Sequence, residues 1–222
     1  HEHCGRVGVE VEFDHKASAV DEFADCDLIV AADGAHSTIR GRYEQHFEPS
    51  LDVRPNLFAW YGTTRLFDPL SLIFRQNGDG LLIAHAYRYS RTHSTFLVEC
   101  DPATYAASGL EQMPEGESLA YCERAFEDDL QGHPLLSNKS AWFRYTIVKN
   151  RNWSWRNVVL LGDALHTGHP STGSGTRMAL QDSLALCDAS PQLSPHLPPP
   201  LPAFAPPPPP GATPPRRPQT RP

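Results

Sequence analysis

The stretch NVVLLGDALHTGHPSTGSGTRMALQD, Asn157 to Asp182, sets a carboxylate, two histidines, a proline and several glycines between an apolar run and a helical pattern. Val158 to Leu161 is unbroken and apolar, the pattern of a strand covered on both faces in an α/β sheet. Asp163 then stands just past the carboxyl end of a buried strand, where open α/β sheets bind ligands. Gly162 ends that strand. Gly173 and Gly175, on either side of Ser174, permit close backbone approach. Leu180, Leu184 and Cys187 repeat at i, i+4 and i+7, which predicts the inward face of a following helix. Its first turn would offer free N–H groups and the positive end of the helix dipole to a phosphate or another anionic group. A plain strand–turn–helix corner would show the same order of residues without a ligand.

A second stretch, CDLIVAADGAHSTIR, Cys26 to Arg40, repeats the device. Leu28 to Ala32 predicts another short buried strand, Asp33 and Gly34 a turn, and Ser37 the cap of a helix that carries Ile39 and Arg40.

Together and in this order, the two stretches resemble the DG and GD fingerprints of the FAD-dependent aromatic hydroxylases, the p-hydroxybenzoate hydroxylase-like flavoprotein monooxygenases. Gly162, Asp163, His166, Pro170, Gly173, Gly175 and Asp182 stand at the family's spacing, with Arg177 where many members have asparagine. The segments LFAWYGTTRLFDPLSLIFR and STFLVECD resemble a narrower branch, the salicylyl-CoA 5-hydroxylase-like enzymes that act on aromatic CoA thioesters. The resemblance implies an α/β fold: part of a Rossmann-like FAD-binding domain, with an inserted, mainly antiparallel sheet that covers the substrate. The implied boundaries are 1–50 and 151–189 for the FAD-binding domain, 51–150 for the sheet and 190–222 for a Pro-rich tail.

The resemblance also implies roles. Asp163 would bind the flavin ribitol, Asp33 and Gly34 would line the nucleotide side, and Arg40 would lie near the phosphates of FAD or NAD(P)H. Pro170 would lie beside the isoalloxazine ring, and the backbone of Gly173, Ser174 and Gly175 would face the part of the ring that gains negative charge on reduction, where preorganised N–H donors are most effective. The implied reaction takes electrons from NAD(P)H and hydroxylates a small aromatic substrate or an aromatic acyl-CoA with O2, in a water-poor pocket. No catalytic base is indicated.

The family's GxGxxG unit, which holds the FAD pyrophosphate on a helix N-terminus, has no counterpart here. GDGLLI, Gly78 to Ile83, lacks the third glycine and enters a strand, so it reads as a hairpin turn. The chain opens without methionine and is expected to be the back part of a longer enzyme, binding FAD weakly on its own. Two alternatives keep less of the resemblance: an inactive remnant whose Pro-rich tail carries any interaction, or a flavoenzyme of another reaction such as epoxidation or halogenation.

Between the fingerprints, Leu57 to Leu66, Leu70 to Arg75, Leu81 to Tyr89 and Thr95 to Glu99 predict successive strands. A period of two sets His85, Tyr87 and Tyr89 on one face, where they could cover an aromatic substrate or serve as ordinary sheet residues. Arg65, Arg75 and Arg88 could meet CoA phosphates, though scattered surface arginines are the ordinary reading. Leu119, Cys122, Phe126 and Leu130 predict an amphipathic helix, and the alternation from Val7 to Phe13 a further strand. His166 and His169 lack a third partner at metal-binding spacing, so no metal site is expected. Trp153 and Trp155 in WSWR read as packing aromatics.

From Pro191 to Pro222 the chain has fifteen prolines and no acid, too little apolar pattern for a core; this segment is expected to be a disordered or polyproline II tail able to dock on aromatic grooves. All 26 acidic residues precede it while three of the 19 basic ones lie within it, so the body is more acidic than the net charge of −7. That balance disfavours a phosphate-backbone binder of nucleic acid, and none is expected as a partner. No apolar run approaches the roughly 20 residues of a membrane helix. With no signal-peptide pattern read either, the expected location is the cytoplasm. The five cysteines are irregularly spaced and read as reduced core thiols.

Overall fold

The computed structural model describes residues 2–169 and 173–189. Pro170 and the Pro-rich segment with its expected docking role lie outside the described residues. In chain order the elements are α1 (Glu2–Arg6), β1 (Ile29–Ala31), α2 (Thr38–Arg42), α3 (Glu44–Phe47), β2 (Pro49–Thr63), β3 (Ser71–Gln76), β4 (Leu81–Arg88), β5 (Ser94–Cys100), α4 (Pro102–Ala107), α5 (Glu115–Ala125), α6 (Glu127–Leu130), β6 (Leu135–Leu136), β7 (Phe143–Asn150), β8 (Ser154–Trp155), β9 (Val158–Leu160) and α7 (Gly175–Ala189). They form two compact units, one of His1–Ser50, Val148–Thr167 and the chain from Ser174 on, the other of Leu51–Ile147 and Gly168–Gly173. None of these helices is long and apolar enough to cross a membrane.

The first unit is built on a three-stranded sheet in the order β1-β9-β8. β1 and β9 run parallel, Ile29 opposite Val158 and Ala31 opposite Leu160, while β8 is antiparallel to β9. Val158, Val159 and Leu160 are fully buried and pack with Ile39, Phe47, Leu165 and Leu186. β9 therefore has the doubly covered character that its apolar run predicts. β1 is less enclosed: Val30 keeps 43% of its surface, because β1 pairs only with β9 among the described residues.

The second unit centres on a six-stranded sheet, antiparallel along β3-β4-β5-β2-β6, with β7 also on β2. One face carries Ala59, Tyr61, Leu82, Ala84, Ala86, Phe96 and Val98, packed against Leu110, Cys122, Phe126 and Leu130. The predicted amphipathic helix exists as two pieces. The chain leaves helical geometry at Phe126 (φ −117°, ψ 25°), between α5 and α6, yet Cys122, Phe126 and Leu130 are buried and Leu119 is partly buried against the same core. Asp101 starts α4 by accepting from the N–H groups of Ala103 and Thr104 at 2.8 and 2.9 Å.

Two expectations fail for one reason: apolar periodicity does not itself place a partner against the apolar stripe. The alternation from Val7 to Phe13 forms no strand; Val7, Val9, Val11 and Phe13 are 40 to 63% exposed, and no strand among the described residues pairs with them. The helix α7 does form, but its predicted inward stripe faces outward, with Leu180 and Leu184 62 and 66% exposed and Cys187 exposed. Asp182, Leu186 and Ala189 are buried instead. They are shifted two positions, roughly 200° round a helix of 3.6 residues per turn. Of the cysteines, Cys100 and Cys122 are core thiols, pushed up to about 12 by burial, whereas Cys26 is exposed and Cys4 half-buried; all five are unpaired.

Candidate functional site

Parallel pairing of β1 and β9 brings the ends of the two sequence stretches side by side, and the N–H of Leu161 continues the ladder by donating to the carbonyl of Ala31 at 3.0 Å. Asp33 follows one strand and Asp163 the other, both at the carboxyl edge of the sheet and both exposed. Their environments differ.

Asp33 is committed to its own helix. Its Oδ1 accepts from the Ser37 hydroxyl at 2.5 Å, and its Oδ2 accepts from the backbone N–H groups of Thr38 and Ile39 at 2.7 and 3.2 Å. Ser37 in turn caps α2 by accepting from Arg40 N at 2.9 Å. The turn is closed by Gly34 (φ +88°), whose carbonyl accepts from Ser37 N at 3.0 Å. The acid and the serine together satisfy the unpaired donors of the first helical turn.

Arg40 is 4% exposed and spans the two stretches. Its Nη1 donates to the carbonyl of Ala164 at 2.9 Å and its Nη2 to that of Ala35 at 2.5 Å. Burial lowers the guanidinium's pKa, and the Asp33 carboxylate opposes that shift. The guanidinium braces the turn after β1 against the turn after β9. Sequence reasoning identified Arg40 but not its partners, because carbonyls carry no sequence signature.

The turn after β9 is held from three sides. Gly162 has φ +60°, and a Cβ there would come within 3.3 Å of the Ala179 Cβ, so glycine permits both the left-handed turn and the approach of α7. Its N–H donates to Asp182 Oδ2 at 3.2 Å, and His166 Nε2 lies 2.9 Å from the same oxygen. Asn150 Nδ2 donates to the carbonyls of Ala164 and Leu165. Asp182 and Asn150, buried to 7% exposure, are thus positioning residues; only Asp182 was flagged by its spacing.

Asp163, at the centre of this bracing, forms no hydrogen bond or ion pair among the described residues. The carboxylate is presented to solvent on a fixed turn. Beyond it, Gly173 (φ +58°) and Ser174 lead into α7, which begins at Gly175, with Met178 N donating to the Ser174 carbonyl at 2.9 Å. The first N–H groups of a helix have no carbonyl within it to bond. A carboxylate acceptor and a helix N-terminus suit a ligand with hydroxyl groups at one place and electron-rich oxygen at another, as a flavin has.

A cleft of about 460 Å³ opens at the opposite, amino end of β1 and β9, beside Ile29 and Val158. Trp155 lines it, stacked on His46 at 4.1 Å and lying under Arg156 at 4.5 Å, so its ring faces are already occupied. Trp153 lies 5.6 Å from the His166 ring. Both tryptophans pack, as expected of them. Among the described residues no group of three or more His, Cys, Asp or Glu converges to hold a metal.

Comparison with known proteins agrees with this geometry. The sequence is 37% identical over 199 residues to salicyloyl-CoA 5-hydroxylase of Streptomyces sp (86% of this chain, 38% of that protein). It is 39% identical over 181 residues to protodeoxyviolaceinate monooxygenase of Chromobacterium violaceum (80% and 48%), and 42% identical over 187 residues to 3-hydroxy-4-methyl-anthranilyl-[aryl-carrier protein] 5-monooxygenase of Streptosporangium sibiricum (84% and 48%). The chain thus spans less than half the length of each of these curated relatives. The tetrameric form of 2-methyl-3-hydroxypyridine-5-carboxylic acid oxygenase shares the fold, with a TM-score of 0.62 at 18% identity over 89% of this chain and 56% of that one. The family profile described as FAD binding domain matches residues 4–189, and the chain belongs to that family.

Proposed function

We propose that this chain is part of an FAD-dependent monooxygenase that hydroxylates an aromatic substrate with NAD(P)H and O2 in the cytoplasm. The observation that carries this reading is the pair of braced turns at the carboxyl ends of two adjacent parallel strands, one of which offers an uncommitted carboxylate, Asp163. The family assignment supports FAD as the cofactor, and the names of the relatives support an aromatic substrate. Two of those names describe an aromatic acyl group on CoA or on a carrier protein, and a substrate of that kind is the finer proposal.

Bound FAD would supply the redox chemistry, accepting electrons from NAD(P)H and activating O2 for transfer of one oxygen to the ring. The residues bind and orient. Asp163 accepts from ribitol hydroxyls. Gly34 and the Asp33-capped turn line the nucleotide side, with Arg40 keeping that turn in register with the Asp163 turn. The backbone from Gly173 to Gly175, at the start of α7, would face N–H groups toward the part of the ring that becomes anionic, and Pro170 would lie beside the ring. Units Leu51–Ile147 and His1–Ser50 correspond in this reading to substrate-covering and cofactor-binding parts.

Asp163 gives the test, on the protein at its full natural length. Asp163→Ala should weaken FAD binding about 10- to 150-fold, the equivalent of a hydrogen bond to a charged group worth about 1.5–3 kcal/mol. Thermal stability should hold, since the side chain braces nothing. Asp163→Asn should lose less, because an amide oxygen still accepts. FAD titration and thermal melting of both variants check this; a folded Asp163→Ala protein with unchanged FAD affinity would refute the reading.

A further inference from the structure

The sheet of the second unit ends on an open strand. Among the described residues β3 pairs only with β4, so its far side carries backbone N–H and C=O groups that no strand bonds. Such an edge is a template for another strand, and folded proteins blunt theirs by shortness, bulges, proline or charge. The six residues of β3, SLIFRQ, pair without a break from Ser71 opposite Ala86 to Gln76 opposite Leu81, and none is proline. The strand's one charge, Arg75, is turned aside, with its Nη2 donating to Asp129 Oδ1 on α6 at 2.5 Å.

The side chains along this edge are apolar as well. Ile73 packs against the core of the unit, so Leu72 and Phe74 occupy the other face, opposite His85 and Ile83 of β4. On that face His85 is buried and hydrogen-bonded to Glu99 of β5 at 2.8 Å, and Glu99 accepts from Asn56 of β2 at 2.6 Å. Leu72 and Phe74 are 52 and 55% exposed, and Leu70, just before the strand, is 59% exposed. Large apolar side chains grouped beside an unpaired edge mark an interaction surface.

The pattern of the strand says what fits there. Directly opposed residues of an antiparallel pair point to the same face, so two copies of β3 keep their faces aligned only in every second register. With Ile73 at the two-fold axis, Leu72 of each copy lies opposite Phe74 of the other and Ser71 opposite Arg75, which pairs five of the six residues in each strand. Apolar meets apolar twice on the exposed face, and no like charges meet. An axis at Phe74 would set Ile73 against Arg75 and Leu72 against Gln76, and an axis at Leu72 would leave Arg75 and Gln76 beyond the paired strand. Charge agrees with self-pairing at this place. The chain's net −7 opposes association of copies in general, yet no acidic residue lies between Asp68 and Asp79.

We propose that the β3 edge is an interface between two copies of this chain, joined by antiparallel pairing of β3 with β3 about a two-fold axis at Ile73. The same patch serves both copies, as a closed two-fold dimer requires. One strand pair and its side chains make a small interface, below about 1,200 Å², so the dimer should dissociate on dilution. No part of this pairing involves the flavin, and the inference stands apart from the monooxygenase reading.

Sedimentation velocity of the full-length protein over a range of concentrations tests it. The unaltered protein should be dimeric when concentrated and monomeric when dilute. Leu72→Glu and Phe74→Lys each set a charge against an apolar side chain twice per dimer, and each should weaken self-association about 100-fold. An equal mixture of the two variants is the decisive sample. There the new carboxylate at position 72 meets the new ammonium at position 74, while the unaltered Phe74 and Leu72 still meet, so the mixture should dimerise where neither variant alone does. Both positions are exposed, so both variants should fold, which thermal melting of the same samples checks. Hydrogen exchange of the unaltered protein needs no variant: amides of Ser71–Gln76 should exchange faster on dilution. A parent that stays monomeric when concentrated, a variant that dimerises as tightly as the parent, a mixture that stays monomeric, or β3 exchange that does not respond to dilution overturns the proposal. FAD titration of the same samples reports separately on the monooxygenase reading.

Discussion

Arg40→Met is expected to destabilise the chain by about 3 kcal/mol, through the loss of two hydrogen bonds from a charged donor. The value is at the lower end for such bonds because one acceptor keeps a partner: the carbonyl of Ala164 also accepts from Asn150 Nδ2 at 3.2 Å. The Ala35 carbonyl is the group left short of its bond. Methionine keeps an unbranched apolar stem in place of the arginine's, so the effect isolates the guanidinium rather than the stem. Arg40→Lys should rescue little, since one ammonium on a flexible stem cannot reproduce a planar fork reaching two carbonyls. Denaturant unfolding of both variants measures this, and FAD affinity should fall with stability because the Asp163 turn loses its brace. A variant as stable as the parent would remove Arg40 as the link between the two turns.

Asp182→Ala should cost a similar amount, about 3 kcal/mol, by a different route. The buried N–H of Gly162 would lose its acceptor and His166 its partner, and an unsatisfied buried donor alone costs about 1–3 kcal/mol. Asp182→Asn keeps an acceptor for Gly162 and should recover part of the loss. Slow hydrogen exchange at Gly162 in the parent, and fast exchange in Asp182→Ala, would locate the effect at the turn rather than along α7. Equal protection in both would show that another group holds Gly162.

Much of the site's chemistry was legible in the sequence because it depends on local order. An apolar run, then an acid beside a glycine, then a helix can be read from Cys26 to Arg40 and again from Asn157 to Asp182, and both form, the first with the Ser37 cap in place. The antiparallel sheet was legible too, since period-two patterning and turn residues act over a few positions. Proximity was not. That Asp33 would be absorbed by its own helix while Asp163 stayed uncommitted follows from where donors lie in space. That Arg40 would reach Ala164, 124 residues on, follows from the parallel pairing of β1 with β9. The inward face of α7 was misread for the same reason: leucine periodicity names an apolar stripe, but the contact of Ala179 with Gly162 and the need of a buried N–H for Asp182 decided which side faces in. His85 was visible as one residue of an alternating strand; its pairing with Glu99 and Asn56 needed three strands in register. Sequence alone determined most of the elements and the kinds of groups they carry, because those are set largely by short-range sterics and hydrophobic period. Tertiary structure alone decided which groups are satisfied and which remain available, because that depends on partners distant in the chain.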